Sequence, residues 1–139
     1  MCVVATRAEA DKRGLTPLLA LRSWAVTGCG PEVMGIGPFS ATTAALDRAG
    51  LTLDEIDLIE LNEAFAAQVL ASDKLFALPM DRVNVNGGAV ALGHPLGATG
   101  ARQTVTLLHE AGRRRSKWGL VSICAALGMG AAGLFEFDL

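Results

Sequence analysis

The sequence of 139 residues has few charged side chains and no long apolar run. Charged residues make up only 19% of the chain, and its net charge is −2. Intrinsic disorder, which needs low hydrophobicity and high net charge, is therefore excluded. Nucleic-acid-binding domains usually carry a strongly basic face, so we expect no nucleic-acid partner. Because no apolar run approaches the ~20 residues of a membrane-spanning helix, we expect no membrane segment.

Disulfide and metal-binding patterns are also lacking. The three cysteines show no C-x-x-C spacing, and their odd number fits no complete disulfide set. Neither of the two histidines lies at metal-ligand spacing from a cysteine or a carboxylate, so we predict no metal site. The first residues do not follow the signal-peptide pattern. These features favour a reducing, cytoplasmic compartment.

Apolar residues and glycine are abundant instead. Hydrophobic residues make up 51% of the chain, and there are 16 glycines in addition. Together they exceed the roughly 45–50% that these residue types contribute to an average protein. The length is that of one domain. The apolar surplus predicts that this domain packs against another domain or chain.

Helical patterns alternate with short apolar runs along the whole sequence. Helices are predicted over 6–13, 40–49, 63–77 and 98–111, with a capped turn at 52–55. Strands are predicted over 2–5, 18–26, 58–61, 83–85, 118–125 and 131–137, and loops over 28–38 and 86–97. This alternation predicts an α/β fold with a largely buried sheet.

A glycine motif near the end of the chain suggests nucleotide binding but lacks its structural context. Residues 128–133 match G-x-G-x-x-G and follow a predicted strand. The dinucleotide fingerprint needs a helix to begin there, whereas the following residues predict a strand. No Gly-Lys-Ser/Thr sequence exists either, so nucleotide binding is a weak hypothesis.

His94 is the histidine best placed for chemistry. It stands in Gly-His-Pro, where Pro95 keeps the His94 backbone extended. The surrounding glycines allow the close backbone approach that a pocket wall needs. A surface-loop histidine without a role is the alternative. His109 lies in the middle of a predicted helix and receives that simpler interpretation.

Two further residues have a structural and a functional interpretation. Cys124 ends a predicted strand before Gly128, so it is either a small buried hydrophobe or a thiol with a tuned pKa. Asn62 follows a predicted strand and precedes a predicted helix. It is therefore either a helix N-cap or a residue that fixes a water or a substrate oxygen.

Taken together, these motifs resemble the thiolase family. The resemblance rests on Asn-Glu-Ala-Phe at 62–65, Gly-His-Pro at 93–95 and a late cysteine, Cys124. The related ketoacyl synthases share the fold but lack the first of these motifs. The matching segments cover nearly the whole chain in the family's order: 34–38, 62–68, 84–88, 91–102, and Cys124 with 128–130.

The resemblance implies an acyltransferase with CoA thioesters as substrates and no other cofactor. Thiolases join two acyl-CoA molecules or cleave a 3-ketoacyl-CoA with CoA, reactions of fatty acid and lipid metabolism. By resemblance, His94 activates a nucleophilic cysteine and Cys124 moves a proton at the α-carbon of acetyl-CoA. Asn62 holds a water that, with His94, stabilises the thioester oxygen as an enolate forms. The implied architecture is the C-terminal half of a layered fold, a mixed sheet covered by helices.

The resemblance also implies substrate-binding residues. Ala64 and Phe65 would line the pantetheine channel, and Gly93 would belong to the pocket wall. The backbone N–H of Ala126, two residues after the cysteine, would contribute to an oxyanion hole. Leu127 departs from the family, which usually has glycine there, because a positive φ at leucine is strained.

A larger departure concerns the family's acyl-accepting cysteine, which lies in an N-terminal domain. Neither Cys2 nor Cys29 matches its motif. We therefore expect a thiolase C-terminal domain over 1–139, with 1–14 as the tail of an N-terminal half or its linker. Such a chain is expected to be inactive alone and to need an N-terminal half and homo-oligomer partners. The alternative is a non-catalytic binding or assembly module, or a truncated gene product.

Overall fold

The computed structural model describes residues 1–137 and contains a four-stranded mixed sheet with helices on both faces. The strands are β1 (Ala20–Gly28), β2 (Leu58–Leu61), β3 (Trp118–Ala125) and β4 (Met129–Glu136). The helices are α1 (Arg7–Lys12), α2 (Gly37–Ala49), α3 (Ala66–Phe76), α4 (Ala89–Leu92) and α5 (Thr99–Arg114). Short 3-10 turns occur at Pro31–Ile36 and Leu53–Glu55.

The strand order across the sheet is β1-β4-β3-β2. β4 pairs antiparallel with β1 and with β3, whereas β2 pairs parallel with β3. A parallel pair needs a long crossover, and here α3, α4 and α5 lie on the connection from β2 to β3. The predicted α/β fold with a mixed sheet covered by helices is therefore confirmed.

Two apolar clusters hold the helices to the sheet. On one face, Ala41 and Ala45 of α2 pack with Ala25 of β1 and Leu134 of β4. On the other face, α5 packs on β2 and β3 through a smaller cluster of Leu58, Leu107, Ala111 and Val121. Small alanine side chains let α2 lie close to the sheet, so this face is closely packed.

The part of the sheet beyond α5 carries exposed apolar side chains. Leu21, Trp24 and Val26 of β1 each have more than half of their surface exposed, with Trp24 at 59%. Next to them is a groove lined by residues of β1, β3, β4 and α5, including Val121 and Phe135. We call this surface the open sheet face. It holds part of the apolar surplus that the composition indicates.

Several predicted elements differ from the structure. The strand predicted over 2–5 is wrong, since Val3 and Val4 are exposed and pair with no strand within the described residues. The strand predicted over 83–85 is a single bridge between Val83 and Ile59, because Asn84 turns to a positive φ of 47°. The loop predicted over 28–38 contains a 3-10 turn and the start of α2, and the loop over 86–97 contains α4.

Within 1–137, the helices are too short or too polar to span a bilayer.

The N-terminus of α2 touches the backbone of β4 at a pair of glycines. A Cβ atom at Gly130 would lie 2.0 Å from the carbonyl oxygen of Gly37, and one at Gly37 would lie 2.7 Å from that of Met129. Gly130 pairs with Thr27 on one side and with Cys124 on the other. The absence of a side chain therefore sets the distance between α2 and the strand pair that carries Cys124.

Replacing this glycine should destabilise the chain. We expect Gly130→Ala to lower the free energy of unfolding by about 1–3 kcal/mol, because backbone must move to admit the methyl group. The matched control is Gly100→Ala in α5, whose Cβ would meet only Ile123 Cδ1 at 3.8 Å. That substitution should cost nothing or add up to ~1 kcal/mol. Urea unfolding of both variants measures the difference, and equal stabilities would contradict the close approach.

Candidate active site

Asn62 lies at the end of β2, where the parallel pairing with β3 continues for one more residue. Its backbone N–H donates to the carbonyl oxygen of Ser122 at 2.9 Å, and its side chain is 0% exposed. The predicted helix over 63–77 begins only at Ala66, with Phe65 in the cap position. The N-cap interpretation of Asn62 is therefore wrong. Its side chain instead lies 3.4 Å from His94, measured from Asn62 Nδ2 to His94 Nε2.

The imidazole of His94 makes one side-chain contact through each of its ring nitrogens, with Thr99 and with Asn62. The Thr99 hydroxyl donates its single proton to the carbonyl oxygen of Pro95 at 3.0 Å. With that proton used, the hydroxyl oxygen fits the role of acceptor at its 2.7 Å contact with His94 Nδ1. The other ring nitrogen, Nε2, faces the Asn62 Nδ2 donor, so the two contacts together fit the tautomer with its proton on Nδ1. In that tautomer the lone pair of His94 Nε2 lies beside a buried amide.

Cys124 is a buried thiol in β3, in register with Gly130. Burial raises the pKa of the Cys124 thiol, and the nearby Cys29 raises it further, against a backbone hydrogen bond that lowers it. The thiol form therefore predominates at neutral pH, as suits a group that donates a proton. Cys124 follows Ser122 by two residues, so it lies at the same end of the β2–β3 pair as Asn62. No hydrogen bond within residues 1–137 joins its thiol to Asn62 or His94.

The hairpin turn after Cys124 is strained at Leu127. Leu127 has φ 65° and is 81% exposed, and Gly128 follows with φ 84°. A left-handed conformation at leucine costs roughly 1–2 kcal/mol. Ala126 keeps an ordinary negative φ, and it is exposed. The predicted strain at Leu127 is thus confirmed.

The residues predicted to bind substrate lie on the exposed side of this region. Phe65 is 64% exposed beside the buried Asn62, and Ala64 is half-buried. Gly93 lies directly before His94, is exposed and has a φ of 89°. Residues with a Cβ atom rarely adopt such a φ, whereas glycine does so readily. In the part of the chain that the structure describes, no three His, Cys, Asp or Glu side chains are grouped to hold a metal ion.

Sequence reasoning missed Thr99 and Glu60. Thr99 lies at the first position of α5, five residues after His94, and its only signal is a hydroxyl just beyond Gly-His-Pro. Glu60 is a carboxyl group within the apolar run of β2 and is 2% exposed. Burial raises the pKa of Glu60 to about 7, and the charge of Arg102 opposes that rise while the charge of Glu63 adds to it.

Comparisons with known proteins all identify the same family. A family model described as the thiolase C-terminal domain matches residues 15–137. The chain is 56% identical over 124 residues to acetyl-CoA acetyltransferase of Chromobacterium violaceum, covering 89% of this chain and 32% of that protein. It is 54% identical over 136 residues to the peroxisomal 3-ketoacyl-CoA thiolase B of Rattus norvegicus, covering 97% and 32%.

A solved structure shows the same likeness in three dimensions. The crystal structure of human mitochondrial 3-ketoacyl-CoA thiolase in complex with CoA superposes with a TM-score of 0.95 at 44% identity. The match covers 97% of this chain and 34% of that one. The chain thus spans about a third of the length of the curated relatives it matches.

The strain at Leu127 can be tested by replacing it with glycine. We expect Leu127→Gly to raise the free energy of unfolding by about 1 kcal/mol, since glycine adopts this φ freely and the exposed side chain loses no burial. Leu96→Gly is the matched control, because Leu96 is 83% exposed and does not have a positive φ. A gain at Leu96, or a loss at Leu127, would contradict the strain.

The buried carboxyl of Glu60 should appear in the pH dependence of stability. The folded chain holds this proton up to a pH of about 7, whereas the unfolded chain releases it near 4.5. The contribution of Glu60 to the free energy of unfolding is therefore full below 4.5 and is lost as the pH rises to about 7. We expect Glu60→Gln to flatten this decline in denaturant titrations.

Glu55→Gln is the control for that experiment. Hydrogen bonds from Thr52 lower the pKa of the exposed Glu55 carboxyl, so its contribution is lost as the pH falls rather than as it rises. Glu60→Gln should therefore reduce the loss of unfolding free energy as the pH rises, whereas Glu55→Gln should reduce the loss as the pH falls. An unchanged profile in Glu60→Gln would show that Glu60 does not hold a proton in the folded chain.

Proposed function

Because the chain belongs to the thiolase family, we propose that it supplies the acid–base half of a thiolase active site, for acyl transfer between acyl-CoA molecules. The observation that carries this proposal is the hydrogen-bonded series Asn62–His94–Thr99, which leaves a basic imidazole nitrogen beside a buried amide. The reaction is the Claisen condensation of acetyl-CoA or the thiolysis of a 3-ketoacyl-CoA. CoA thioesters are the substrates, with no other cofactor.

His94 would act on a cysteine from outside these residues. Its Nε2 takes the proton of that thiol, and the thiolate attacks the carbonyl carbon of a thioester. The thioester C–S bond then breaks and CoA leaves as its thiolate, which takes up the proton of the Cys124 thiol, while His94 keeps its proton until the outside cysteine is released. A thiolate is both a strong nucleophile and a good leaving group, so this exchange is reversible.

Cys124 would transfer the proton to or from the α-carbon. In thiolysis, the thiolate of the outside cysteine bonds to the β-carbonyl carbon. The bond between the α- and β-carbons then breaks, and its electron pair forms the enolate of acetyl-CoA, which takes a proton from the Cys124 thiol. Burial favours the thiol form that this step needs. In condensation the Cys124 thiolate, formed when the leaving CoA takes the thiol proton, accepts the α-proton of a second acetyl-CoA. The resulting enolate bonds to the acyl carbon and displaces the outside cysteine, which takes up the proton from His94.

Asn62 and Ala126 would stabilise the negative oxygens of these steps. The buried Asn62 amide lies against His94 Nε2, which suits the pair to hold a water against the thioester oxygen. The N–H of Ala126 follows Cys124 in an exposed turn, which suits an oxyanion hole. Ala64, Phe65 and Gly93 would line the path of the pantetheine chain, and the exposure of Phe65 and Gly93 supports this.

The open sheet face is the surface that we propose for binding a partner domain. We assign it to a thiolase N-terminal half, because exposed apolar side chains such as Trp24 are stabilised by burial. Residues 1–14 would belong to the tail of that half or to its linker, before a C-terminal domain that occupies the rest of 1–139. Homo-oligomer partners would cover further apolar surface. The three free cysteines agree with a cytoplasmic location, and the chemistry with a place in fatty acid metabolism.

A second candidate function is a non-catalytic binding or assembly module. It is favoured by one observation, the strained Leu127 in the turn after Cys124, where the family usually has glycine. In that case the chain would still join an N-terminal half, and the resulting complex would not turn over substrate.

Reconstitution distinguishes the two functions. We expect the purified chain alone to show no thiolysis of acetoacetyl-CoA, and a complex with a thiolase N-terminal half to be active. In that complex His94→Ala and Cys124→Ala should lower kcat by about 100- to 10,000-fold, the usual contribution of acid–base groups. Cys2→Ala and His109→Ala, at exposed positions, are the matched controls and should keep the activity.

Three results would contradict the enzyme proposal. Robust turnover by the chain alone would show that no outside cysteine is needed. Unchanged rates in His94→Ala or Cys124→Ala would remove the assigned roles. A stable complex without turnover would favour the assembly module.

A further inference from the structure

The carboxylate of Glu63 joins the two segments that carry Asn62 and His94. Its Oε1 accepts a hydrogen bond from Asn84 Nδ2 at 2.9 Å, and its Oε2 accepts one from the backbone N–H of Val90 at 2.9 Å. Both contacts are with N–H donors, and hydrogen bonds from N–H groups to a carboxylate are of the stronger kind. Glu63 directly follows Asn62, and Val90 lies four residues before His94.

Asn84 fixes the other side of this contact. Its side-chain Oδ1 accepts from the N–H of Leu61 at 2.9 Å, and its Nδ2 donates to the carbonyl oxygen of Leu61 at 2.8 Å. The amide thus pairs with both backbone groups of the last residue of β2, as a neighbouring strand would. Asn84 itself takes a positive φ of 47°, which asparagine tolerates better than most residues.

Gly88 leaves the space that the Glu63 carboxylate occupies. A Cβ atom at Gly88 would lie 2.1–2.4 Å from the carboxyl atoms of Glu63. Gly88 also precedes α4, the single turn of helix that ends at Leu92 just before Gly93 and His94. The carboxylate is therefore held against the start of the segment that leads to the histidine.

We propose that Glu63, with Asn84, is a positioning residue that holds the His94 loop against Asn62. The chain of contacts runs from Leu61 through Asn84 and Glu63 to Val90, and it closes at the 3.4 Å contact between Asn62 and His94. Glu63 itself is placed to touch protein groups on both sides, so it acts through His94. This assignment of a role in catalysis rests on the proposed function.

The test uses ¹⁵N-labelled chain and compares Glu63→Ala and the milder Glu63→Gln with Glu55→Ala and Glu55→Gln. Glu55 is a matched control, because its carboxylate also accepts two hydrogen bonds, from the N–H and hydroxyl of Thr52, away from the site. Two signals are measured by NMR. One is the hydrogen-exchange rate of the Val90 amide, and the other is the pair of ring-nitrogen shifts of His94, which report its tautomer.

Loss of the Glu63 carboxylate should change both the Val90 and the His94 signal, whereas loss of the Glu55 carboxylate should change neither. In Glu63→Ala, Val90 should exchange roughly 10- to 100-fold faster, the value of a hydrogen bond to a charged group. The His94 shifts should move from a protonated Nδ1 towards a mixture of tautomers, because Nε2 loses the Asn62 Nδ2 donor that it faces. Glu63→Gln should move the His94 shifts in the same direction by less, since one of its two donors still finds an oxygen.

Activity gives an independent readout in the complex with an N-terminal half. Both Glu63 variants should lower kcat by at least about 10-fold with little change in KM, while the Glu55 variants keep both. Unchanged His94 shifts in both Glu63 variants, or unchanged Val90 exchange in Glu63→Ala, would overturn the positioning role. If the unmodified complex is inactive, the proposed function fails, and the NMR signals still decide whether Glu63 holds the loop.

Discussion

The parallel pairing of β2 with β3 is the constraint on which the candidate site depends. Leu61 is in register with Ser122, and the N–H of Asn62 extends the pairing to the Ser122 carbonyl at 2.9 Å. This register places Asn62 at the end of one strand and Cys124 two residues further along the other. A shift of one residue would reverse the side chains of the strand and remove Asn62 from His94. The geometry of the site therefore depends on the register between β2 and β3.

Burial then determines what each group can do chemically. The contacts of His94 with Thr99 and with the buried Asn62 amide fit a ring that carries its proton on Nδ1. Burial keeps the Cys124 thiol protonated, and it raises the pKa of Glu60 to about 7 in the neighbouring strand. Taken together, these surroundings support the proposed roles of His94 as a base and of Cys124 as a thiol acid, the two groups that reversible proton transfer at carbon requires.

Part of this arrangement could be predicted from the sequence, because the signals are local. The apolar runs gave β2 and β3, and Pro95 indicated that the His94 backbone lies outside a helix. The contacts made by Asn62 could not be predicted, since its helix-cap interpretation is equally compatible with the local sequence. Its partner lies 32 residues away and is brought near only by the crossover between two strands. Glu63 and Asn84 lie in segments that match the family, but the contact between them could not be predicted for the same reason, since it spans 21 residues.

The central claim is that this chain supplies proton-transfer groups and not the acyl-accepting nucleophile. The most direct measurement is peptide mass spectrometry of the complex with an N-terminal half after brief reaction with acetyl-CoA. The account predicts an acetyl thioester on a cysteine of the N-terminal half, with Cys2, Cys29 and Cys124 unmodified. An acetyl thioester on Cys124 would contradict it, because the thiol assigned to the α-proton would then be the nucleophile.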